Sequence, residues 1–179
     1  ERARFSVEEV VTLTLEFYRR NYIEGLFLSS GIIRSPDQTM ADMVRIAQTL
    51  RQDHAFRGYI HLKTIPEASA RLVEEAGLYA DRMSINLEMP TEAGLKQFAP
   101  EKSHAEVQKD LGIVRDRLIQ FKDERKLIRS VPKFVPAGQT TQMVVGASNE
   151  TDYDVMMMAD QHYKDYKLKR VYYSGYIPI

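Results

Sequence analysis

The sequence predicts an α/β fold built on a parallel sheet, and three observations carry that expectation. Short apolar runs alternate with longer segments of helical periodicity along the whole chain. Several of those runs end in small polar residues, as strands buried on both faces do where they emerge into loops. No low-complexity stretch or composition shift divides the 179 residues, so 1–179 reads as one domain with chain enough for a sizeable core.

The elements follow in order. Residues 6–21 are expected to be helical, because Ser6 and Glu9 form a capping box and Val7, Val10, Val11, Leu15 and Tyr18 recur at helical spacing. Residues 25–31 make the first strand. Thr39 is the expected cap of a helix over 40–52, with Met43, Val44, Ile46, Ala47 and Leu50 along one side. Residues 58–65 make the second strand. Pro66 suits the first turn of the next helix, which is expected to stop at Gly77. Residues 82–89 make the third strand, and a short helix over 91–98 follows. Ser103 and Glu106 form a second capping box, opening a long charged helix to about residue 126. Residues 141–147 make the fourth strand. Thr151 caps a helix carrying Val155, Met156, Met158, Tyr163 and Tyr166, and residues 171–177 make the fifth strand.

Strands alternating with helices at this spacing imply βαβ units. Two windings satisfy the pattern, an open doubly wound sheet and a barrel, with a lean to the barrel. Both bind ligands at the carboxyl ends of their strands. No GxGxxG follows a strand, which argues against a dinucleotide-binding sheet.

Composition narrows the function classes. Lys+Arg and Asp+Glu both number 25, so the formal net charge is zero, which argues against a basic surface built for nucleic acid or anionic lipid and leaves room only for a local basic patch. No apolar run approaches the roughly 20 residues that span a bilayer. The chain has no cysteine, which excludes disulfides, thiolate catalysis and cysteine-held zinc or iron–sulfur clusters within it. It opens at Glu1 and meets a helix signal at once, and it closes at Ile179 just after a strand, so it reads as a fragment.

The strand ends carry the polar residues. The first ends Ser29-Ser30-Gly31; the second carries His61, Lys63 and Thr64; the third carries Ser84, Asn86 and Glu88. Gly138-Gln139-Thr140 precedes the fourth and Asn149-Glu150-Thr151-Asp152 follows it, while the fifth ends Tyr173-Ser174-Gly175-Tyr176. Ser84, Asn86 and Glu88 stand two apart and so share a face, with Met83, Ile85 and Leu87 on the other. Inward polar groups are costly unless they bind something. A carboxylate two residues from a carboxamide suits a ribose, one accepting from hydroxyls and the other both donating and accepting. An exposed strand with ordinary alternation is the competing account. His61 is expected to pack structurally, and His54, His104 and His162 to face solvent. The Met156-Met157-Met158 run is expected to fill core. No histidine pair has metal-ligand spacing, and there is no P-loop, G-x-S-x-G or H-E-x-x-H.

Residues 27–31 (FLSSG), 84–88 (SINLE), 138–147 (GQTTQMVVGA) and 169–174 (KRVYYS) together resemble the radical S-adenosylmethionine (SAM) superfamily, closest to its DNA modification or repair branch. The resemblance implies an incomplete parallel (β/α)6 partial TIM barrel with the second to sixth strands present. It implies a [4Fe–4S] cluster held by a CxxxCxxC loop after the first strand, ahead of this chain. SAM would chelate the unique iron, and reductive cleavage would yield a 5′-deoxyadenosyl radical. An electron donor such as flavodoxin or ferredoxin, a nucleic-acid substrate and a cytoplasmic location follow from the same resemblance. Ser29, Ser30 and Gly31 take the place of a Gly-Gly-Glu turn that receives the methionine amino group, although the Glu is absent. Asn86 and Glu88, with Ser84 beside them, match an Asn-x-Asp/Glu pair that holds the ribose. Val145, Gly146 and Ala147 lie along the adenine, and Tyr173 and Ser174 offer it backbone contacts. Arg115 and Arg117 of the long helix are the candidates for the methionine carboxylate. Two other classes stay open: an aldolase- or hydrolase-type barrel using Lys63 or Glu88, and a non-catalytic binding module.

Overall fold

A computed structural model describes residues 4–178. Its helices are α1 (Val7–Arg19), α2 (Pro36–Gln52), α3 (Ala70–Tyr79), α4 (Glu92–Phe98), α5 (His104–Leu127) and α6 (Asp152–Tyr166). Strands β1 (Gly25–Leu28), β2 (Tyr59–Lys63), β3 (Arg82–Ser84), β4 (Gln139–Val145) and β5 (Arg170–Gly175) form one sheet in the order β1-β2-β3-β4-β5. Every neighbouring pair is parallel. That order decides between the two windings. A doubly wound sheet reverses its order at a switch point, whereas here each strand is laid on the same side of the last, as in a barrel. Among the described residues β1 and β5 each pair along one edge alone, so the barrel is not closed. The fold is α/β, five parallel strands in one unclosed sheet.

One face of the sheet is covered by helices. Ile60, Leu62, Met83, Leu87 and Met143 are fully buried there against Met40, Leu50, Val73 and Leu111. Each such side chain stabilises the fold by roughly 1.5–3 kcal/mol. The amino ends of the strands are tied by Arg51 of α2. Its guanidinium donates to the carbonyls of Phe56 (2.7 Å), Gly58 (2.8 Å) and Tyr79 (3.1 Å) and to Asp81 Oδ2 (2.6 Å). The same Asp81 oxygen accepts from the Ile60 amide at 2.8 Å, so one planar fork fixes the start of β2 against the loop entering β3.

Local signals compete, and several expectations are corrected. The cap of α2 is Ser35, with Pro36 at the first helical position; the buried Thr39 hydroxyl instead accepts from the Ile33 amide at 3.1 Å. Pro66 lies in a turn, and α3 starts after Ser69. Gly77 sits inside α3 because the Phe134 ring occupies the space of its missing Cβ. His104 and His162 are buried, not solvent-facing, while Met156 and Met157 are exposed, not core. His162 survives burial by pairing its Nδ1 with the Met158 carbonyl one turn back, at 2.8 Å. Arg115 bonds Asp116 and the Asp165 carbonyl, and Arg117 pairs with Glu74 at 2.7 Å. Both arginines serve contacts of the helical layer. Asp165 lies near the amino end of β5, opposite the strand ends where a methionine carboxylate is expected.

Gly77→Ala tests how tightly that layer is packed. Alanine is the better helix former by about 1 kcal/mol, but overpacking typically costs about 1–3 kcal/mol, and Phe134 is itself buried and stacked on Phe121 at 5.1 Å. Denaturant unfolding should show a net loss of stability. A stabilised variant would mean that Phe134 moves aside freely.

Candidate functional site

The third strand does not run straight to Met89. Pairing with β4 is regular through Ser84, after which the Ile85 amide donates to the Thr140 carbonyl at 3.2 Å. The next ladder bond is from the Glu88 amide to the Gln142 carbonyl at 3.1 Å. Three steps on one side therefore oppose two on the other, which is a bulge. The buried Thr141 hydroxyl fills the gap: it donates to the Ile85 carbonyl at 2.7 Å and accepts from the Leu87 amide at 3.0 Å. Glu88 takes the left-handed conformation, φ 63°, that ends the strand. Met83, Ile85 and Leu87 are buried against the helices, so Ser84 and Asn86 share the concave side as the alternation implies.

Two neighbours pin this strand end from the α4–α5 connection. Lys102 Nζ lies 2.6 Å from Glu88 Oε1, and Lys63 Nζ lies 4.0 Å from the same oxygen. Both approach Oε1, so Oε2 is left free to accept. His104 sits at the first position of α5, its Nε2 2.8 Å from the Met89 carbonyl and its Nδ1 3.2 Å from Glu92 Oε1. Neither Lys102 nor His104 stands out in the sequence as part of a strand-end site. Their spacings from Glu88 and Met89 match no local motif, and the contacts exist because α4 folds back between them.

The residues assigned to the cofactor fall into groups. Glu88 and Ala147 line a cavity of about 320 Å³ together with Lys102, Val144, Phe98 and Tyr176. Phe98 and Tyr176 are 5.7 Å apart, centroid to centroid, and form an aromatic wall. Gly146 follows β4 with φ 79° and nothing within 4 Å of where a Cβ would stand. The Val145 carbonyl accepts from the Tyr176 amide at 2.9 Å, which closes the rim between β4 and β5. Ser174 accepts from Gln142 at 3.1 Å on the concave face, while Tyr173, one residue before it, projects to the other side. Ser29, Ser30 and Gly31 stand apart. They line a separate cavity of about 950 Å³ between the start of α1, the loop after β1 and α2, and the two cavities share no residue. Ser84 is buried in a register row with Lys63 and Thr140.

Charge is uneven along the concave face. Burial, with the Arg82 guanidinium beside it, pushes the His61 imidazolium down to about 4, so the ring is neutral at pH 7. Burial raises the Tyr59 phenol against the pull of Arg82. The chain has no cysteine, and among the described residues no three His, Asp or Glu side chains gather as metal ligands. These residues do not fit an iron–sulfur cluster. A carboxylate and an aromatic-walled cavity do meet at the carboxyl end of β4, and the Asn86 carboxamide lies on the concave side of the neighbouring strand end. Among the described residues no helix is long and apolar enough to cross a membrane.

No protein-family model matches the chain, and no curated protein matches it. Among solved structures it is similar to a domain of pyruvate-formate lyase-activating enzyme from Bacteroides vulgatus, at 13% identity and a TM-score of 0.49, over 86% of this chain and 100% of that one. A likeness at that identity and score bears on neither chemistry nor partners.

Thr141→Val keeps the shape and removes the hydroxyl that the bulge is built on. It strands the Leu87 amide and should cost roughly 1–3 kcal/mol, read by denaturant unfolding. A loss under about 0.5 kcal/mol, the range of neutral surface changes, would show that the bulge holds without it.

Proposed function

We propose that this chain is the portion of a radical SAM enzyme core that holds the adenosyl end of the cofactor, its five strands being the second to sixth of the barrel. The observation that carries the proposal is the cavity at the carboxyl end of β4, where Glu88 and Ala147 meet the Phe98–Tyr176 wall. Those two residues are matched to ribose and adenine by the sequence resemblance, and the fold brings them to one cavity on the rim where such barrels bind ligands. In this reading Asn86 and Glu88 Oε2 hold the ribose hydroxyls, and Gly146 leaves the backbone open to the base. Lys102 and Lys63 hold the Glu88 carboxylate in place from its Oε1 side. Bound to such a cluster, SAM would supply a 5′-deoxyadenosyl radical; the cluster ligands would lie outside 1–179, which has no cysteine, and the electron donor would be a separate protein. The branch that modifies or repairs DNA is supported by the resemblance, and the zero net charge adds nothing to it.

The Schiff-base alternative has less behind it. A nucleophilic lysine works in a desolvated pocket, and Lys63 keeps 31% of its side chain exposed beside a carboxylate.

Calorimetry tests the proposal in two stages. The isolated chain should bind SAM only weakly, because the iron side of the site is elsewhere; submicromolar affinity contradicts that division. In a parent carrying a CxxxCxxC loop ahead of Glu1, Asn86→Ala or Glu88→Ala should weaken SAM binding by roughly 1–3 kcal/mol, the scale of a lost buried polar partner. Unchanged affinity removes both from the site, and a parent without that loop removes the family.

A further inference from the structure

Below the rim, three buried polar atoms of the concave face have no hydrogen-bond partner: His61 Nε2, Arg82 Nε and Thr140 Oγ1. Folded proteins leave few such atoms, and each asks for a water, an ion or a ligand. These three are neighbours. His61 and Arg82 are register partners on β2 and β3, and Thr140 is the partner of Ser84 on β3 and of Arg170 on β5. Arg82 is under-used as well. Its two contacts are long, 3.3 Å to the Tyr172 hydroxyl and 3.4 Å to the Ala137 carbonyl, and neither partner is an anion. Arg51 makes four shorter bonds and already holds Asp81, the carboxylate next to Arg82 in sequence. Arg170, exposed on the row of Thr140, adds a second guanidinium. The neutral His61 ring can present Nε2–H as a further donor.

We propose that this patch binds an oxyanion, a carboxylate or phosphoryl group, carried by the molecule on which the enzyme acts. The patch's donors lie on three adjacent strands, His61 and Arg82 in one register row and Thr140 in the next polar row, and Arg82 offers a planar fork suited to either oxyanion. The long Arg82–Tyr172 contact is the one an entering anion displaces. Phe27, edge-on to His61 at 4.7 Å, and Tyr172 are both largely exposed and give a planar body something to lie against. Calling the anion a substrate rests on the proposed function; the anion site itself does not.

The test is an NMR titration of the chain with inorganic phosphate, phenyl phosphate and benzoate, read at the Arg82 Nε–H and the His61 ring. Saturable shifts at both are expected, with phenyl phosphate binding several-fold tighter than inorganic phosphate. Whichever of benzoate and phenyl phosphate binds tighter names the oxyanion. Arg82→Gln should weaken binding by roughly tenfold or more, the loss of a charge-assisted hydrogen bond, and Thr140→Val should weaken it less. No saturable shift in the unaltered chain, or undiminished binding by Arg82→Gln, overturns the proposal. S-adenosylhomocysteine titrated in parallel separates the two claims. If it fails to bind while phosphate binds at Arg82, the adenosyl reading falls and the anion site stands; the reverse pattern leaves only the adenosyl site.

Discussion

The Thr141 hydroxyl is the contact on which the candidate site depends. A parallel ladder steps two residues at a time on both strands, and it would carry β3 straight past β4. The extra residue between Ile85 and Glu88 has to be accommodated, and it leaves the Ile85 carbonyl and the Leu87 amide buried without a ladder partner. One side-chain oxygen serves both, at 2.7 and 3.0 Å. The strand end then turns at Glu88, and the carboxylate meets Lys102 on one side and Lys63 on the other. Without that hydroxyl, straight pairing would shift Glu88 by one residue along β4 and away from the cavity it lines.

The rest of the molecule is arranged so that this bend occurs at the rim. Strands added in one direction put all five carboxyl ends on the same edge. The opposite edge is closed by the Arg51 network and by Gln139, whose side chain bonds the Leu111 and Tyr166 carbonyls at 3.0 and 2.6 Å. The amino edge is thus tied by internal bonds, while the cavity lined by Glu88 opens at the carboxyl edge. The helix-covered face is mostly apolar and dense, and the concave face keeps His61, Arg82 and Thr140 atoms that have no hydrogen-bond partner.

Much of this was legible in the sequence. Period-two alternation placed Met83, Ile85 and Leu87 on the core side and Ser84 and Asn86 on the other, because burial of one face dictates side-chain direction. The capping box at Ser6 and the cap at Thr151 mark their helices correctly, since each is a contact three residues long, while at α5 the Ser103 hydroxyl accepts from the Glu106 amide without the return bond that the expected second box needs. The misreadings arose where two local signals competed or where the deciding partner was distant. Ser35-Pro36 and Thr39 both promise a helix start, and Thr39 was instead taken by the loop after β1. Gly77 reads as a stop until Phe134 is seen against it. The bulge was hidden because Thr141 lies 54 residues beyond Leu87. His104, on a polar stretch, is expected to face solvent, and it is buried against the Met89 carbonyl 15 residues earlier. A run of methionines identifies no face, and two of the three ended in solvent.

The central claim is that the rim between β3 and β4 receives an adenosyl group. The most direct measurement is a backbone NMR titration of this chain with millimolar S-adenosylhomocysteine. The account predicts that the amides of Glu88, Gly146 and Ala147 and the Asn86 carboxamide shift together with a single affinity, while residues 29–31 stay still. Shifts confined to residues 29–31, or none at all, would contradict it.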